Sequence, residues 1–195
     1  MPQKNVSLRV ISAYRHMGGH INSRGDMVPE AKARSGAATG VINPVKKRVF
    51  ANATIDREVR LSLAKSLSFS RLLYNAGTWD ELSVNAMRCI RRSYMQTYRT
   101  VARMHNSQAE AAHTSDLQVL QAIKEPQVEA VLVTHRLRYL VRLIVHGPAA
   151  LIRVIFSQQA NKRSWVNMVI RDLAFFHTHT DTHRNMPSPI AQPET

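Results

Sequence analysis

The run Val6-Ser7-Leu8-Arg9-Val10 alternates apolar and polar residues with the period of two that a half-buried strand requires. A second short extended segment from Tyr14 to Ile21 is placed to pair with it as one hairpin. After the turn-rich cluster Asn22-Ser23-Arg24-Gly25-Asp26 the strand signals stop, and helical spacing takes over. The first helical candidate starts near Pro29, a good first-turn residue, but Gly36 and Gly40 weaken it and Pro44 is expected to kink or end it. Asp56 is a suitable cap for the next helix, in which Val59, Leu63 and Leu67 recur at every fourth position ahead of Leu72, Leu73 and Trp79.

A third helix is predicted from Leu82 to Met104. At about 100° per residue, Ala86, Ile90, Tyr94, Thr97 and Val101 fall on one side of it and Arg88, Arg92, Arg99 and Arg103 on the other. Those arginines have two readings, a solvated face or a stripe that tracks phosphates. A polar connection over Asn106 to Thr114 follows. Asp116 then caps a short helix through Ile123, Pro126 interrupts, and a longer helix from Val128 to Val145 closes at His146-Gly147-Pro148. Two more amphipathic pieces, near Ala149 to Gln158 and Ser164 to Phe176, complete the ordered part, and from His177 the chain reads as a loose tail. The fold class expected is mainly α, a helical bundle preceded by one small β-hairpin. It is organised as segments 1–25, 26–110, 111–176 and 177–195.

Composition changes the picture chiefly through charge. In 195 residues, 44% of them hydrophobic, 27 Lys and Arg face 13 Asp and Glu, a formal charge of +14 that favours a polyanionic partner, either nucleic acid or an anionic membrane surface. The single cysteine, Cys89, excludes an intramolecular disulfide framework and a zinc knuckle built on paired thiolates, and with no apolar leader at Met1-Pro2-Gln3-Lys4-Asn5 it suggests an intracellular setting, nucleus or cytoplasm. The most apolar region, Tyr139 to Phe156, is interrupted by Arg142, His146, Pro148 and Arg153, so no transmembrane insertion is expected.

Other constellations carry less. His177, His179, Asp181 and His183 would share one side of an extended segment and offer a nitrogen and oxygen set to a metal ion, but their polar surroundings favour an accident of composition, and no metal or other cofactor is assigned. Arg24-Gly25-Asp26 is read as an ordinary turn, Cys89 as a core or boundary residue, and Trp79 as a buried anchor rather than a base-stacking platform. Met17-Gly18-Gly19-His20 lacks the Gly-Lys-Ser/Thr of a phosphate loop.

One family does resemble this order of blocks. Tyr14-Arg15-His16-Met17-Gly18-Gly19-His20-Ile21 is similar to the aromatic-basic-x-Leu-Gly segment that closes the palm of non-LTR retrotransposon reverse transcriptases, with Met17 in place of the usual leucine. Gly25-Asp26-Met27, Pro29-Glu30-Ala31-Lys32-Ala33-Arg34, Ile55 to Ser66 and Ser70 to Trp79 follow at family-like spacing, and His135-Arg136-Leu137-Arg138-Tyr139-Leu140 resembles the Arg-Leu-rich helix after the thumb. The resemblance runs from about Val6 to Leu151 and departs from the family at Gly36, Gly40 and Pro44, where members have one long helix.

The resemblance implies a primer-grip hairpin and a thumb-like helical bundle. Tyr14, Arg15 and Gly18 would guide the primer strand, and Lys46, Lys47, Arg48, Arg60, Lys65, Arg88, Arg92, Arg99 and Arg103 would contact RNA or an RNA/DNA template-primer duplex. The family's nucleotidyl transfer needs carboxylates on two Mg²⁺ ions, whereas the adjoining acids here, Asp80-Glu81, follow Trp79 outside any palm-like context. The chain is therefore expected to be no enzyme on its own, with no catalytic residues. Two alternatives stay open: part of a complete RNA-directed DNA polymerase whose palm is encoded upstream and would be its partner, or a basic helical module for a membrane surface or a protein, with Val128 to Phe156 as the contact.

Overall fold

A computed structural model of the chain describes residues 11–16, 19–23, 25–50, 52–104, 114–157 and 164–184. Among them the protein is mainly helical with one two-stranded antiparallel hairpin, β1 (Ala13–His16) and β2 (Gly19–Asn22). Its register pairs Tyr14 with Ile21 and Arg15 with His20. The segment read as a single strand thus supplies both strands of the hairpin, which pair from Ala13 with Asn22 to His16 with Gly19. Val6 to Val10, its expected partner, lies outside the described residues.

The helices are α1 (Val28–Val45), α2 (Arg57–Ala64), the short α3 (Ser70–Leu72), α4 (Val84–Ala102), α5 (Asp116–Ile123), α6 (Val128–His146), α7 (Ala149–Ser157) and α8 (Trp165–Arg184). They form two compact units, residues 1–76 with 82–131, and residues 77–81 with 132–195. No helix of the described residues is long and apolar enough to cross a membrane.

In the first unit the core is built on α4. Ala86, Ile90, Tyr94, Thr97 and Val101, the side expected from sequence, are all buried. Ser83 caps the helix by accepting from the Ala86 N–H, and Arg103 ends it in the left-handed conformation at φ 61°. Against this face pack Ala31, Ala38 and Ile42 of α1, Leu61 and Ala64 of α2, and Val119, Leu120 and Ile123 of α5. The rings of Phe69, Tyr94 and Tyr98 meet one another at 4.7–4.8 Å between centroids.

Burial obliges the hydroxyls of these rings to find partners. Tyr94 donates to Pro126 O at 2.8 Å and Tyr98 to Glu125 Oε2 at 3.0 Å, while Lys65 Nζ stands 2.6 Å from Glu125 Oε1. Ser68 and Thr97 share a hydrogen bond of 3.2 Å beside them.

Two helices differ from expectation. α1 is not ended by Pro44. It passes through the proline and leads into a π-helical turn, Lys46–Phe50, with Lys46 N–H bonding back to Asn43 O. Proline costs the segment one backbone bond, and burial of Ala38, Ile42 and Phe50 on either side holds it together. In α2 the packed face is Leu61, Ala64, Ser68 and Phe69, whereas Val59 is exposed and Leu63 and Leu67 are half-buried. After the helix a second π-helical turn, Lys65–Phe69, breaks the fourth-residue spacing, so that Ser68 and Phe69 are buried in place of Leu67. Asp56 does cap α2, accepting from Glu58 N–H at 2.7 Å.

The hairpin is fastened to α1 through Glu30, which is 3% exposed. Glu30 accepts from His20 N–H at 2.7 Å and from Arg34 Nε at 2.7 Å, and the Arg34 guanidinium lies over the Tyr74 ring at 4.5 Å.

α5 begins with a full capping box, Ser115 and Gln118, so the cap is Ser115 and Asp116 is the first helical residue. The first turn of α6 belongs to the first unit and the rest to the second. There Gly77 lies so close to α6 that a Cβ would come within 2.8 Å of both His135 O and Tyr139 Cβ. The Trp165 indole donates to Gly77 O at 2.6 Å and packs edge-on to Tyr139. Trp79 is buried in the same unit. Arg136 and Asp172, both nearly buried, form a two-pronged ion pair with bonds of 2.7 and 3.2 Å. Burial, with Arg138 nearby, holds His135 below the usual histidine range. The tail from His177, expected to be loose, continues α8 to Arg184.

Two stability measurements follow. Gly36 and Gly40 sit in α1 with nothing within 4 Å of where an added methyl would stand, whereas Gly77 has none of that room. Urea titration should therefore find Gly36→Ala and Gly40→Ala more stable by about 0.4–1 kcal/mol each, and Gly77→Ala less stable by about 1–3 kcal/mol. In alkali, burial pushes the Tyr94 hydroxyl up from 10.0 to about 12, and Tyr98 is raised as well, again mainly by burial. A raised folded value means the stabilisation is intact below the unfolded value of 10 and is lost as pH climbs toward 12. Circular dichroism during an alkaline titration should show stability holding to about pH 10 and falling beyond it, less steeply in Tyr94→Phe.

Candidate nucleic-acid interface

The exposed side of α4 carries Arg88, Arg91, Arg92, Gln96 and Arg99, separated by the three- and four-residue steps that stack side chains along one helical stripe. From Arg88 to Arg99 the stripe covers about 16 Å of helix axis at 1.5 Å per residue. With Lys46 from the π-helical turn after α1, these arginines line a groove of about 920 Å³ whose apolar wall is Leu82, Val84, Met87 and Met95. Among the described residues Asp116 is the one acid in that lining.

The cations are not equivalent. Arg99 is fixed by Asp116 Oδ1 at 2.7 Å and Thr114 O at 2.8 Å, which ties the end of α4 to the start of α5. Arg91 bonds Glu129 on α6. Arg88 and Arg92 are exposed, and among the described residues neither has an acidic side chain within ion-pair distance. Of the groove's cations, these two and half-buried Lys46 have no ion pair among the described residues.

The residues singled out from sequence are therefore sorted by the fold. Lys46, Arg88, Arg92 and Arg99 are brought together in the groove. Lys47 and Arg48 are exposed on the same π-helical turn as Lys46 but do not line it, and Arg103 is exposed at the left-handed end of α4. Arg60 is 8% exposed and spends Nη1 on Phe50 O at 3.1 Å, so it braces the chain after the π-helical turn and is withdrawn from any surface contact. Lys65 is engaged by Glu125 beneath the tyrosine cluster. Tyr14 and Arg15 are exposed on the hairpin, and Gly18 lies outside the described residues.

Arg91 is the lining residue that the sequence reading missed. At about 100° per residue it sits on the flank between the buried side and the stripe, and Asp116 of α5 joins it in the groove lining. Its three-residue spacing from Arg88 was the available signal.

Among the described residues no group of three or more His, Cys, Asp or Glu side chains is placed to hold a metal ion. No family model, curated protein or solved structure matches this chain.

The lone acid of the groove supplies a direct test of its electrostatics. Asp116→Asn removes one negative charge and releases Arg99, so the variant should elute from a heparin column at higher salt than the parent. Earlier elution would mean that the groove does not meet the polyanion. The accompanying loss of a first-turn carboxylate should cost about 0.3–1 kcal/mol of stability.

Proposed function

We propose that this chain is a non-catalytic, thumb-like module that binds RNA or an RNA/DNA template-primer duplex through phosphate contacts made by the α4 groove. The observation that carries the reading is the lining: Lys46, Arg88, Arg91, Arg92 and Arg99 against a single carboxylate, on a chain of net charge +14. Its link to reverse transcriptases of non-LTR retrotransposons rests on the resemblance of the sequence blocks around Tyr14 to Ile21, Pro29 to Arg34 and Ser70 to Trp79. The primer-grip role of Tyr14 and Arg15 is supported by the same resemblance and by their exposure on a short hairpin.

The mechanism is electrostatic and shape-based. A helical stripe of guanidinium groups follows one strand's phosphates, displaces condensed counterions and reads no base edges, so sequence preference is small. Met87 and Met95 line the same groove and offer apolar surface on which arginine stems can pack.

Fluorescence anisotropy of a labelled RNA/DNA hybrid tests this. With three freely exchanging cations, affinity should fall roughly 40-fold between about 50 and 200 mM salt. A monodisperse, helical sample that does not bind the hybrid at low salt would refute the reading.

A further inference from the structure

The second unit carries a cationic and apolar surface that phosphate binding in the α4 groove does not use. Between Glu129 and Asp172 the sequence has no Asp or Glu but seven Lys or Arg. In that stretch the end of α6 exposes Val141, Ile144 and Val145 at 58–63% of their surface. They occupy i, i+3 and i+4, a single outward strip, with the exposed Arg138 and Arg142 along its edge.

α7 continues the pattern after a tight corner. Gly147 N–H bonds Leu143 O at 2.8 Å, and a Cβ at Gly147 would come within 2.3 Å of that oxygen. The helix has no buried residue at all, and Leu151 and Val154 are exposed on either side of Arg153.

We infer that this face, the end of α6 with α7, is a docking site for an anionic lipid surface, on which the valines, isoleucine and leucine enter the acyl boundary while Arg138, Arg142 and Arg153 reach the headgroups. Charge complementarity selects the occupant. A second copy of the chain would place this acid-free surface against itself in an isologous contact, cation facing cation. A nucleic-acid backbone would satisfy the arginines but leave the aliphatic strip in water. An anionic bilayer offers both an apolar layer and negative charge, the combination to which basic amphipathic helices bind. The binding is peripheral, since neither helix is long and apolar enough to cross.

Flotation of the full chain with vesicles tests the inference, comparing phosphatidylcholine alone with phosphatidylcholine containing phosphatidylserine. The chain should float with the anionic vesicles and much less with the neutral ones. Arg138→Gln with Arg142→Gln should reduce partitioning by about fivefold per residue. Val141→Ser, Ile144→Ser and Val145→Ser together, all at exposed positions, should reduce it by at least about tenfold without altering hybrid binding. Arg88→Gln with Arg92→Gln should leave flotation unchanged, which separates this surface from the groove.

Absence of flotation overturns the inference, as does equal flotation with neutral vesicles or flotation indifferent to the triple serine change. Concentration-dependent association in sedimentation velocity that the serine changes abolish, in a chain that does not float, would assign the face to a second copy instead.

Discussion

The buried side of α4 is the constraint on which the first unit depends. Ile90, Tyr94, Thr97, Tyr98 and Val101 form a single surface that α1, α2 and α5 all cover. Because the two tyrosines bring hydroxyls into that surface, the position of the following chain is also prescribed. Pro126 O and Glu125 must come to meet them, and Lys65 must come to meet Glu125. A buried polar network of this kind is favourable only when complete. That requirement couples the α5–α6 connection to the π-helical turn after α2.

The same burial creates the groove. A helix committed on one side to a core has its opposite side fixed in direction, so Arg88 and Arg92 are held in solvent with no acidic partner among the described residues. Ion pairs at the margins, Arg91 with Glu129 and Arg99 with Asp116, hold the neighbouring helices in place. Partly exposed pairs of this kind contribute about 0–1 kcal/mol, so the packing of α4, more than its salt bridges, maintains the groove. Charge is thus divided along one helix between arginines held in ion pairs and arginines left in solvent.

What could be read from the sequence follows the strength of the local signal. α4, α5 and α6 were legible because a helical apolar period and clear stops, Pro126 and His146-Gly147-Pro148, coincide. The face of α2 was not, because the buried stripe runs through Arg60, Leu61 and Ala64 while Val59 is exposed, and a π-helical turn interrupts the period directly after the helix. α1 appeared broken at Pro44, yet burial of Ala38, Ile42 and Phe50 outweighs the missing bond. Arg60 reads as a surface cation in sequence, and only the fold turns its guanidinium toward Phe50 O. Nothing in the local residues announces that Gly77 to Glu81 packs with α6 and α8 instead of its flanking segments; a glycine that Tyr139 presses on and an indole bonded to its carbonyl are long-range facts.

The most direct measurement is the salt dependence of hybrid binding in the parent chain and in Arg88→Gln with Arg92→Gln. If these two arginines each neutralise a phosphate, the slope of log affinity against log salt should become shallower by about 2 while the circular dichroism spectrum is unchanged. An unchanged slope, with or without a loss of affinity, would contradict the placement of phosphates along the α4 stripe.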